Sequence, residues 1–549
     1  MKSGNSRNSE TSGVNPGLNS DLEPDLDPIE LSIFSNRIKA VCDEMGAVLQ
    51  RAAFSPNIRD RLDFSCAVFD VQGELCAQAA HIPVHLGSMA YAMRDIVKNI
   101  EWHDGDVVVV NDPFLGGTHL PDVTLISPVF IDDSLLGFVA NRAHHADIGG
   151  HSPGSMPISR SLEEEGIVIP PQYLHKRGEL NQELMQTILE STRNKTIGEG
   201  DFAAQISANK TGIERLAKLI EHFGQAHYQE LLRALNEYAQ TIALHVIQSI
   251  PDGKYKFSDV MDDDGLGNTE LKITLSLTIK NDQAHADFAG TTLQTQGNIN
   301  CPLSVVAAAV YYVFRCLMPD YTPACAGSFR PVTISAPEGC LLNAKRPAAV
   351  AAGNVETSTR IVDVVMGALA QAIPDQIPAA SHGSMNNLAM GSVGSGADAV
   401  KKTSWDYYET MGGGMGAGKE TDGLSGLQTH MTNTRNTPVE VMESSYPVRV
   451  HRYALRPGSG GEGKHRGGDG LIREIEFTEE TTVTLLTERR ITSPWGLNQG
   501  LNGQAGVNKI NGKIMPAKFS AQLQKGDHLS IETAGGGGWG KPIDKGLEK

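Results

Sequence analysis

One stretch, residues 106–151, constrains the fold of this chain more than any other. It interleaves four of the 17 histidines with three aspartates: His119, His144, His145, His151, Asp112, Asp122 and Asp147. The apolar runs Val107–Val110 and Val123–Val129 predict buried strands, and Leu135–Ala140 predicts the return strand of a hairpin. The imidazoles and carboxylates therefore lie where strands begin or end, and a rigid sheet can hold them there.

Three of these residues have the spacing of a metal site. His119 and Asp122 are spaced His-x-x-Asp, and His144 follows the paired strand. Two neutral nitrogens and one carboxylate suit a divalent metal with open positions for water or substrate. The spacing also fits a hydrogen-bonded polar cluster at a sheet end, because it is not a closed pattern such as paired Cys-x-x-Cys.

The length of 549 residues predicts two or three domains with ample core. We predict an α+β fold with several domains, mixed or antiparallel sheets, long helices, glycine-rich loops and a β-rich C-terminal region. The predicted boundaries are a disordered tail at 1–27, a metal-site α/β region with a helical segment at 28–250, a central α/β region at 251–440 and the β-rich region at 441–549.

Local patterns support this division. A helix is predicted from Pro28, a hairpin over 63–78 and a helix over 86–100. Helices follow at 178–192, 197–224 and 226–249, then an antiparallel meander at 255–288 and an apolar helix at 303–316. Glycine-rich loops dominate 380–440, and strands are predicted at 449–455, 471–477, 483–489 and 528–533.

Composition excludes several classes of function. A net charge of −17 with no basic stripe argues against a nucleic-acid partner and against anionic membranes. The longest apolar run, 303–314, is too short to cross a bilayer. The N-terminus lacks the apolar segment of a signal peptide, and seven cysteines without a Cys-x-x-Cys motif are typical of a reducing compartment. We therefore expect a cytoplasmic protein.

Other polar residues have two interpretations each. His81 and His85 precede the helix at 86–100 and either face the cavity of the metal cluster or pack locally. Glu163, Glu164 and Glu165 predict a solvated face, although the apolar run that follows allows one carboxylate to point inward. Gly413–Lys419 nearly matches a phosphate-binding loop, but Glu420 replaces the hydroxyl residue that would hold Mg²⁺. We therefore expect no ATP site of that kind in this chain.

Residues 352–360 predict the start of a helix that continues through Ile373. Thr357 or Ser358 is the predicted cap. Free N–H groups and the helix dipole at such an end suit an anion, but without other information a merely well-capped core helix is the better explanation of the pattern.

Distinctive motifs occur along nearly the whole chain: Ser55-Pro-Asn-Ile-Arg59, Asp63-Phe-Ser65, Val109-Val-Asn-Asp-Pro113, Gly117-Thr-His119-Leu-Pro-Asp122, His144-His-Ala-Asp-Ile-Gly-Gly150, Glu165-Gly-Ile-Val-Ile-Pro-Pro171, Gly353-Asn-Val-Glu-Thr-Ser358, Arg466-Gly-Gly-Asp-Gly470 and Ala534-Gly-Gly-Gly-Gly-Trp-Gly540. Together they resemble the hydantoinase B family: the B subunits of ATP-dependent N-methylhydantoinases and 5-oxoprolinases, which are related to acetone carboxylase α chains.

The resemblance implies a mechanism shared between two subunits. An A-type ATPase subunit would phosphorylate the ring amide oxygen of a hydantoin or lactam, and the B subunit would hydrolyse the activated species. His119, Asp122 and His144 match the layout of the metal ligands in the carboxylase relatives, so the resemblance implies a divalent metal (Mn, Zn or Fe) in this chain. ATP would be used by the partner and not bound here.

The remaining site residues are hypotheses. His145 is assigned as a group supporting the ligands or, after a bulge, as the general base, and Asp147 as the residue that orients a histidine. Arg142 is assigned to grip phosphate or carboxylate, or else to pair with a strand-end acid. The helix start supplies the predicted substrate- and phosphate-binding residues: Asn354, Glu356, Thr357, Ser358 and Arg360.

Two other classes of function fit the same sequence. The first is an α-type subunit of an ATP-dependent ketone carboxylase, although this chain is shorter than such α chains. The second is a non-catalytic scaffold that completes a complex with the ATPase chain.

Overall fold

The computed structural model describes residues 27–80, 82–392 and 405–542. These residues form helices and sheets whose strands are antiparallel except for one parallel pair, so the predicted α+β class is confirmed. Of the predicted tail at 1–27 only Asp27 lies within the described residues. His81 lies outside them.

Nine α-helices lie in the described part of the chain: α1 (Pro28–Ala52), α2 (Pro56–Arg59), α3 (Val84–Asn99), α4 (Gln182–Ser191), α5 (Lys195–Phe223), α6 (Gln225–Gln248), α7 (Leu303–Leu317), α8 (Ser358–Leu369) and α9 (Val439–Ser445). The long helix α1 begins where expected, because Pro28 is its first residue and the Asp27 carboxylate accepts from Ile29 N. Its apolar face, which includes Phe34 and Ile38, is buried.

The first sheet has seven antiparallel strands in the order β2-β1-β5-β4-β3-β6-β7. Its strands are β1 (Phe64–Phe69), β2 (Leu75–Ala80), β3 (Val107–Val110), β4 (Asp122–Ile131), β5 (Ser134–His144), β6 (Gln172–Lys176) and β7 (Glu179–Leu180). Strands β4 and β5 form a hairpin whose two turn residues, Asp132 and Asp133, have φ of 49° and 61°. Positive φ at both positions matches the twist of the strands, and Asp tolerates it better than most residues.

Three smaller sheets follow. One has the order β11-β10-β9-β8, with β8 (Gly253–Asp263), β9 (Thr269–Lys280), β10 (Gln283–Asp287) and β11 (Val332–Ser335). The next has the order β13-β12-β16-β19, with β12 (Asn387–Ser392), β13 (Asp406–Glu409), β16 (Thr481–Leu486) and β19 (Lys518–Leu523). The last has the order β14-β15-β20-β17-β18, with β14 (Val448–Arg456), β15 (Gly470–Phe477), β17 (Val507–Ile510), β18 (Lys513–Met515) and β20 (His528–Glu532).

Some predicted elements need correction. The helix predicted over 178–192 begins only at Gln182, because Glu179 and Leu180 pair with β6. The helix predicted over 361–373 ends at Leu369 and is preceded by a π-helical turn, Gly353–Thr357. Strands β12 and β13 fall in the interval predicted as glycine-rich loops, and β17, β18 and β19 were not predicted at all.

The glycine-rich segments stack backbone against backbone. Gly414 N donates to Ala534 O (3.0 Å), and Gly536 N donates to Gly468 O (2.9 Å). A Cβ atom on Gly414 would lie only 2.0 Å from Gly468 O, so this layer has no room for a side chain. The abundance of glycine after residue 380 therefore reflects close packing of loops.

The predicted domain boundaries stay a prediction. The third sheet joins β12 and β13 to β16 and β19, and thus spans the proposed boundary at residue 440. Among the helices of the described residues, none has the length and apolar character needed to cross a membrane.

Candidate metal centre

The hairpin of β4 and β5 brings a carboxylate and an imidazole opposite each other. Asp122 is the first residue of β4, His144 is the last residue of β5, and the two are register partners. A slip of one residue would turn both side chains to the other face of the sheet, so the hairpin register determines the site. His119 lies in the turn just before β4, where its carbonyl accepts from Asp122 N (3.1 Å).

Two imidazole nitrogens approach the same oxygen of Asp122. His119 Nε2 lies 3.2 Å and His144 Nδ1 lies 3.3 Å from Asp122 Oδ1. All three side chains are buried, and one ligand atom of each lies within 4.8 Å of the others. His119 Nε2 and His144 Nε2 are buried and lack a well-aligned hydrogen bond, although His119 Nε2 lies beside Asp122 Oδ1. Buried polar atoms without partners are costly, and a shared cation would remove part of that cost.

The backbone selects the tautomer of His119 that a metal requires. His119 Nδ1 lies 3.3 Å from Ala351 O. A carbonyl oxygen only accepts hydrogen bonds, so Nδ1 carries the proton when the ring is neutral. Nε2 then directs its lone pair toward the centre of the site, which is the usual arrangement for a histidine ligand.

The second oxygen of Asp122 is held by other side chains. Asp122 Oδ2 accepts from Thr118 Oγ1 (2.7 Å) and from Asn354 Nδ2 (3.2 Å). His85 Nε2, from α3, lies 3.3 Å from the same oxygen, and His85 Nδ1 lies 3.1 Å from Ser65 Oγ. A third imidazole thus adjoins the predicted ligands, so the structure supports the interpretation of His85 as a cavity residue.

The charges of the site follow from burial and from these neighbours. Burial opposes ionisation of Asp122, but the contacts with His119, His85 and His144 outweigh it and keep the pKa of Asp122 well below its usual range. Burial also disfavours protonated His119, yet Asp122 outweighs it and raises the His119 pKa. Burial lowers the pKa of His144. Asp122 is therefore anionic and His144 neutral at neutral pH, as metal ligands must be, whereas a metal would compete with a proton at His119.

The centre encloses a cavity of about 20 Å³. A water needs roughly 10–15 Å³ of such volume, so the cavity has room for little more than one water. It is lined by the three predicted ligands and by residues from separate parts of the chain: Asp63, Ile82, Val84, His85, Asn354, Val355, Met385, Tyr408, Thr410 and Thr432. Tyr408 stacks on His144 with ring centroids 4.7 Å apart, and fixes the orientation of that imidazole.

The residues fit a divalent ion. His119, Asp122 and His144 offer two nitrogens and one oxygen, a donor set that suits Zn, Mn or Fe and leaves coordination positions open. Buried donors without well-aligned hydrogen bonds, a fixed tautomer and an anionic carboxylate all agree with this assignment. The donor set matches that of mononuclear centres with two histidines and one carboxylate.

Arg142 lies beside the centre but does not line the cavity. Its Nε donates to Thr124 Oγ1 (2.8 Å), Nη1 donates to Ser88 Oγ (2.8 Å) and Nη2 donates to Gly116 O (2.9 Å). Burial lowers the pKa of Arg142 to about 10. All three nitrogens are thus bonded to neutral oxygens, and among the described residues no strand-end acid contacts the guanidinium.

His145 and Asp147 face away from the cavity. His145 Nε2 lies 2.9 Å from Gln205 Oε1 of α5, as expected if neighbouring strand residues point to opposite faces. Asp147 accepts from Ser155 Oγ (2.8 Å) and from Arg193 Nη1 (2.8 Å). Asp147 thus holds the loop that follows β5, and neither residue contacts a metal-site histidine.

Of the predicted substrate-binding residues, only Asn354 lines the cavity. Glu356 lies behind it, where Oε1 accepts from Met385 N (2.9 Å) and from Asn387 Nδ2 (2.7 Å). Burial, and the charge of Glu488, raise the pKa of Glu356 to about 8. Glu356 is therefore a protonated core residue at neutral pH.

The other three residues of this set have structural partners. Thr357 Oγ1 donates to Ile299 O (2.5 Å), and Ser358 Oγ donates to Asn354 O (2.6 Å), so neither hydroxyl caps the helix. Arg360 Nη2 donates to Glu488 Oε2 (3.2 Å). The prediction that Thr357 or Ser358 caps the helix is wrong, because helical structure begins several residues earlier.

A carboxylate of the chain itself occupies the start of that helical segment. Glu165 is buried, and its oxygens accept from Val350 N (3.0 Å) and Ala351 N (2.9 Å). Burial raises the pKa of Glu165 to about 7. The interpretation that one acid of the 163–165 run points inward is thus confirmed, and this acid takes the position that we predicted for a bound anion.

Sequence reasoning missed several residues of the site. Tyr408 carries no recognisable signal on its own, since tyrosines are common everywhere. Asp63, Ser65 and Thr118 belong to motifs quoted above for family resemblance, which was the available signal. Tyr408 reaches the site only through the pairing of β12 with β13, a strand pair that periodicity did not predict.

Comparison with known families identifies the chain. The profile of the Hydantoinase B/oxoprolinase family matches residues 27–542. This chain therefore belongs to the hydantoinase B/oxoprolinase family, and the resemblance seen in its motifs is confirmed.

Two relatives illustrate the range of lengths. 5-oxoprolinase 1 of Arabidopsis thaliana is 41% identical over 94% of this chain, but the chain spans only 42% of that protein. A candidate D-/L-hydantoinase of the B type, from Pseudomonas sp., is 31% identical over 97% of this chain and 93% of its own length.

Two solved structures share the fold. The ATP-dependent caprolactamase from Pseudomonas jessenii superposes with a TM-score of 0.87 at 27% identity, covering 94% of this chain and 92% of its own. Acetone carboxylase superposes with a TM-score of 0.83 at 17% identity, covering 94% of this chain and 76% of its own, and at that identity the likeness concerns the fold alone.

Proposed function

We propose that this chain is the hydrolytic B subunit of an ATP-dependent cyclic amidase, which opens the ring amide of a hydantoin or lactam. The observation that carries the proposal is the buried group His119, Asp122 and His144 in a chain of the hydantoinase B/oxoprolinase family. The names of the relatives, 5-oxoprolinase, D-/L-hydantoinase and caprolactamase, all describe enzymes for cyclic amides.

We assign the use of ATP to a partner, an A-type ATPase subunit. The near-match to a phosphate-binding loop at Gly413–Lys419 lacks the hydroxyl residue, and Glu420 stands in its place. The hydantoinase relative from Pseudomonas sp. matches over nearly its whole length, whereas the 5-oxoprolinase is more than twice as long. This agrees with a two-part enzyme whose parts are separate chains or one fused chain.

Three residues would hold the metal. His119 Nε2, Asp122 Oδ1 and His144 supply the donors, and Thr118 with Asn354 keeps the carboxylate in place. A divalent ion bound there would lower the pKa of a coordinated water to about 7 and stabilise negative charge that builds on a substrate oxygen.

In the proposed reaction, the amide first becomes a better electrophile. Amide resonance protects the ring carbon, and phosphorylation of its oxygen by the partner removes that protection. Water then adds to the carbon, the ring C–N bond breaks with a proton passing to nitrogen, and hydrolysis of the resulting acyl phosphate releases inorganic phosphate. Both hydrolytic steps require a group that accepts a proton from water.

His85 is our candidate for that proton acceptor. It lines the cavity, and its Nε2 lies next to Asp122 while Ser65 holds its Nδ1. We therefore move the role of general base from His145 to His85. Arg142 and Asp147 are proposed as positioning residues, the first through α3 and the second through the loop after β5.

The test is reconstitution with the partner ATPase. The complex would be incubated with ATP and a panel of hydantoins, 5-oxoproline and a larger lactam, with ring opening measured by chromatography. We expect ATP-dependent ring opening that is lost in His119→Ala together with the bound metal, and retained in His285→Ala. His285 is a matched control because it is exposed and lies on β10, in another sheet.

Two outcomes would replace the proposal. Incorporation of labelled bicarbonate into an acid product, with no ring opening, would establish a carboxylase subunit instead. Full turnover in His119→Ala would remove the metal group from the chemistry and leave this chain as a scaffold.

A further inference from the structure

A second group of metal-ligand residue types lies on the last sheet, outside the site described above. His451, Glu476 and His528 come from β14, β15 and β20, three neighbouring strands. One ligand atom of each lies within 4.8 Å of the other two. Among the described residues, this group and the buried centre are the two that meet this criterion.

The sheet itself assembles the group. Glu476 and His528 are register partners, so their side chains stand side by side on one face. The pairing of β14 with β15 is interrupted by a bulge between Val450 and Arg452, and His451 is the unpaired residue in it. Bulges re-aim side chains, and this one directs His451 toward Glu476.

The side chains are already close together. His451 Nε2 lies 2.7 Å from Glu476 Oε2, and the rings of His451 and His528 have centroids 5.2 Å apart. The side chains of His451 and Glu476 are 40% and 26% exposed, so a cation can reach them from solvent. Because the donors stand on a hydrogen-bonded sheet, little conformational entropy would be lost on binding.

The donor set selects the kind of cation. Two imidazoles and one carboxylate suit Zn²⁺, Ni²⁺ or Cu²⁺, whereas Mg²⁺ and Ca²⁺ prefer sets made of oxygen. Three ligands on an exposed face leave positions open for water or for a side chain of another molecule.

One neighbour opposes the binding of a cation. Arg449 is the register partner of Glu476 on the other side, and its charge lies near that carboxylate. Arg452 instead pairs with Glu474 (3.9 Å). The affinity of this group for a cation should therefore depend on the charge of Arg449. A purely structural contact between His451 and Glu476 would have no such dependence.

We propose that His451, Glu476 and His528 form a second, solvent-exposed binding site for a divalent transition metal such as Zn²⁺. The site is independent of the proposed hydrolytic centre, since none of its residues lines the cavity of that centre. Because the three ligands come from strands that are separated in sequence, the metal can bind there only when this sheet is folded.

The experiment is a titration of chelator-stripped protein with ZnCl₂, in which binding is measured by isothermal titration calorimetry. The double variant His451→Ala/His528→Ala should bind one equivalent fewer than the wild-type protein, and so should His119→Ala, which removes the other site. Glu476→Gln keeps an acceptor for His451 but loses the charged ligand, so its zinc affinity should fall. Arg449→Gln should bind zinc more tightly, because it removes a like charge.

The exposed residue His285 again supplies the control, and His285→Ala should bind zinc as the wild-type protein does. MgCl₂ in place of ZnCl₂ should give no binding at the exposed site. Equal zinc stoichiometry and affinity in the wild-type protein and in His451→Ala/His528→Ala would overturn the proposal. If the buried centre bound no zinc, the wild-type protein would bind one equivalent at the exposed site, and the double variant would bind none. The proposal for the exposed site can therefore hold even if the proposal for the buried centre fails.

Discussion

Each oxygen of the Asp122 carboxylate has its own set of neighbours. Oδ1 faces two imidazoles, and Oδ2 is held by Thr118 and Asn354. The variant Asp122→Asn keeps the shape but removes the charge. We expect its metal affinity to fall by more than about tenfold, the lower limit for residues that merely support a ligand. Metal content after dialysis, measured by atomic absorption, checks this.

The matched control lies at the other end of the same hairpin. Asp133→Asn is an equivalent change in an exposed turn residue with φ of 61°, which Asn tolerates. It should bind metal as the wild-type protein does. Equal metal content in Asp122→Asn and Asp133→Asn would exclude Asp122 as a ligand.

Glu356 makes the stability of the protein depend on pH. Its folded pKa of about 8 is raised above the ordinary carboxyl value by burial and by Glu488. The folded state therefore retains a proton that the unfolded state releases, so this contribution to stability is complete below the unfolded pKa and is lost as pH rises toward and through 8. Glu356→Gln resembles the protonated acid, and its unfolding free energy should fall less than that of the wild-type protein between pH 6 and pH 9.

Urea denaturation of both proteins at the two pH values measures this difference. Lys518→Gln is unsuitable as a comparison because Lys518 pairs with buried Glu488. Glu338→Gln, in an exposed ion pair with Lys345, is a suitable control and should leave the pH dependence unchanged. Parallel curves for the wild-type protein and Glu356→Gln would mean that Glu356 is ionised in the fold.

At the residue scale, the positions of site residues could be predicted from the sequence where a single hairpin determines them. The spacing of His119 and Asp122, together with strand alternation, predicted which side chains converge and that His145 points away from His144. It failed for contacts that depend on the packing of distant elements. His85 comes from α3 and Tyr408 from β13, and no local pattern relates either residue to β4.

At the element scale, the π-helical turn Gly353–Thr357 aims Asn354 at the metal site. A Cβ atom on Gly353 would lie 1.8 Å from Asn300 O, a backbone atom that cannot move aside easily. Gly353→Ala should therefore destabilise the protein by about 1–3 kcal/mol, as overpacking does, although alanine favours helix. Thermal unfolding measures the effect. Gly418→Ala, where the nearest atom is 3.5 Å away, should be nearly neutral, and equal stability of the two variants would contradict this account.

Helices and strands with a clear periodicity of apolar residues were predictable from the sequence, and those in glycine-rich sequence were not. Helix α1 and the hairpins of the first sheet follow from apolar periodicity and turn residues. Strands β12 and β13 lie in the interval that we predicted to be glycine-rich loops, although β12 is almost entirely buried and pairs on both sides. The helix dipole argument near residue 354 identified a position that a carboxyl group does occupy, but the group is that of Glu165, which only the tertiary fold brings there.

At the scale of the whole molecule, the candidate metal centre is nearly closed. Its cavity of about 20 Å³ has no room for a ring substrate, so under the proposed function part of the wall would have to move. Ile82 and Val84 on one side and Thr432 on the other belong to separate segments, which are joined by the bond from Val84 N to Met431 O (3.1 Å). We expect the opening of this wall to limit the rate at which a substrate enters the cavity.

Closure predicts how the metal leaves. With a chelator in excess, the rate of metal release from the buried centre should be independent of chelator concentration, because opening of the wall limits it. Release from the exposed group at His451 should instead rise with chelator concentration. A colorimetric metal indicator follows both, and the variants His119→Ala and His451→Ala/His528→Ala separate the two signals. Release from the buried centre in proportion to chelator would contradict a closed cavity.

The buried carboxylate of Glu165 has a consequence for product release. It occupies the N–H groups of Val350 and Ala351, which would otherwise attract any small anion formed nearby. A phosphate ion formed in the proposed reaction would therefore find these two N–H groups already engaged by a side chain of the protein. Under the proposed function, the product gains no binding site from this helix start.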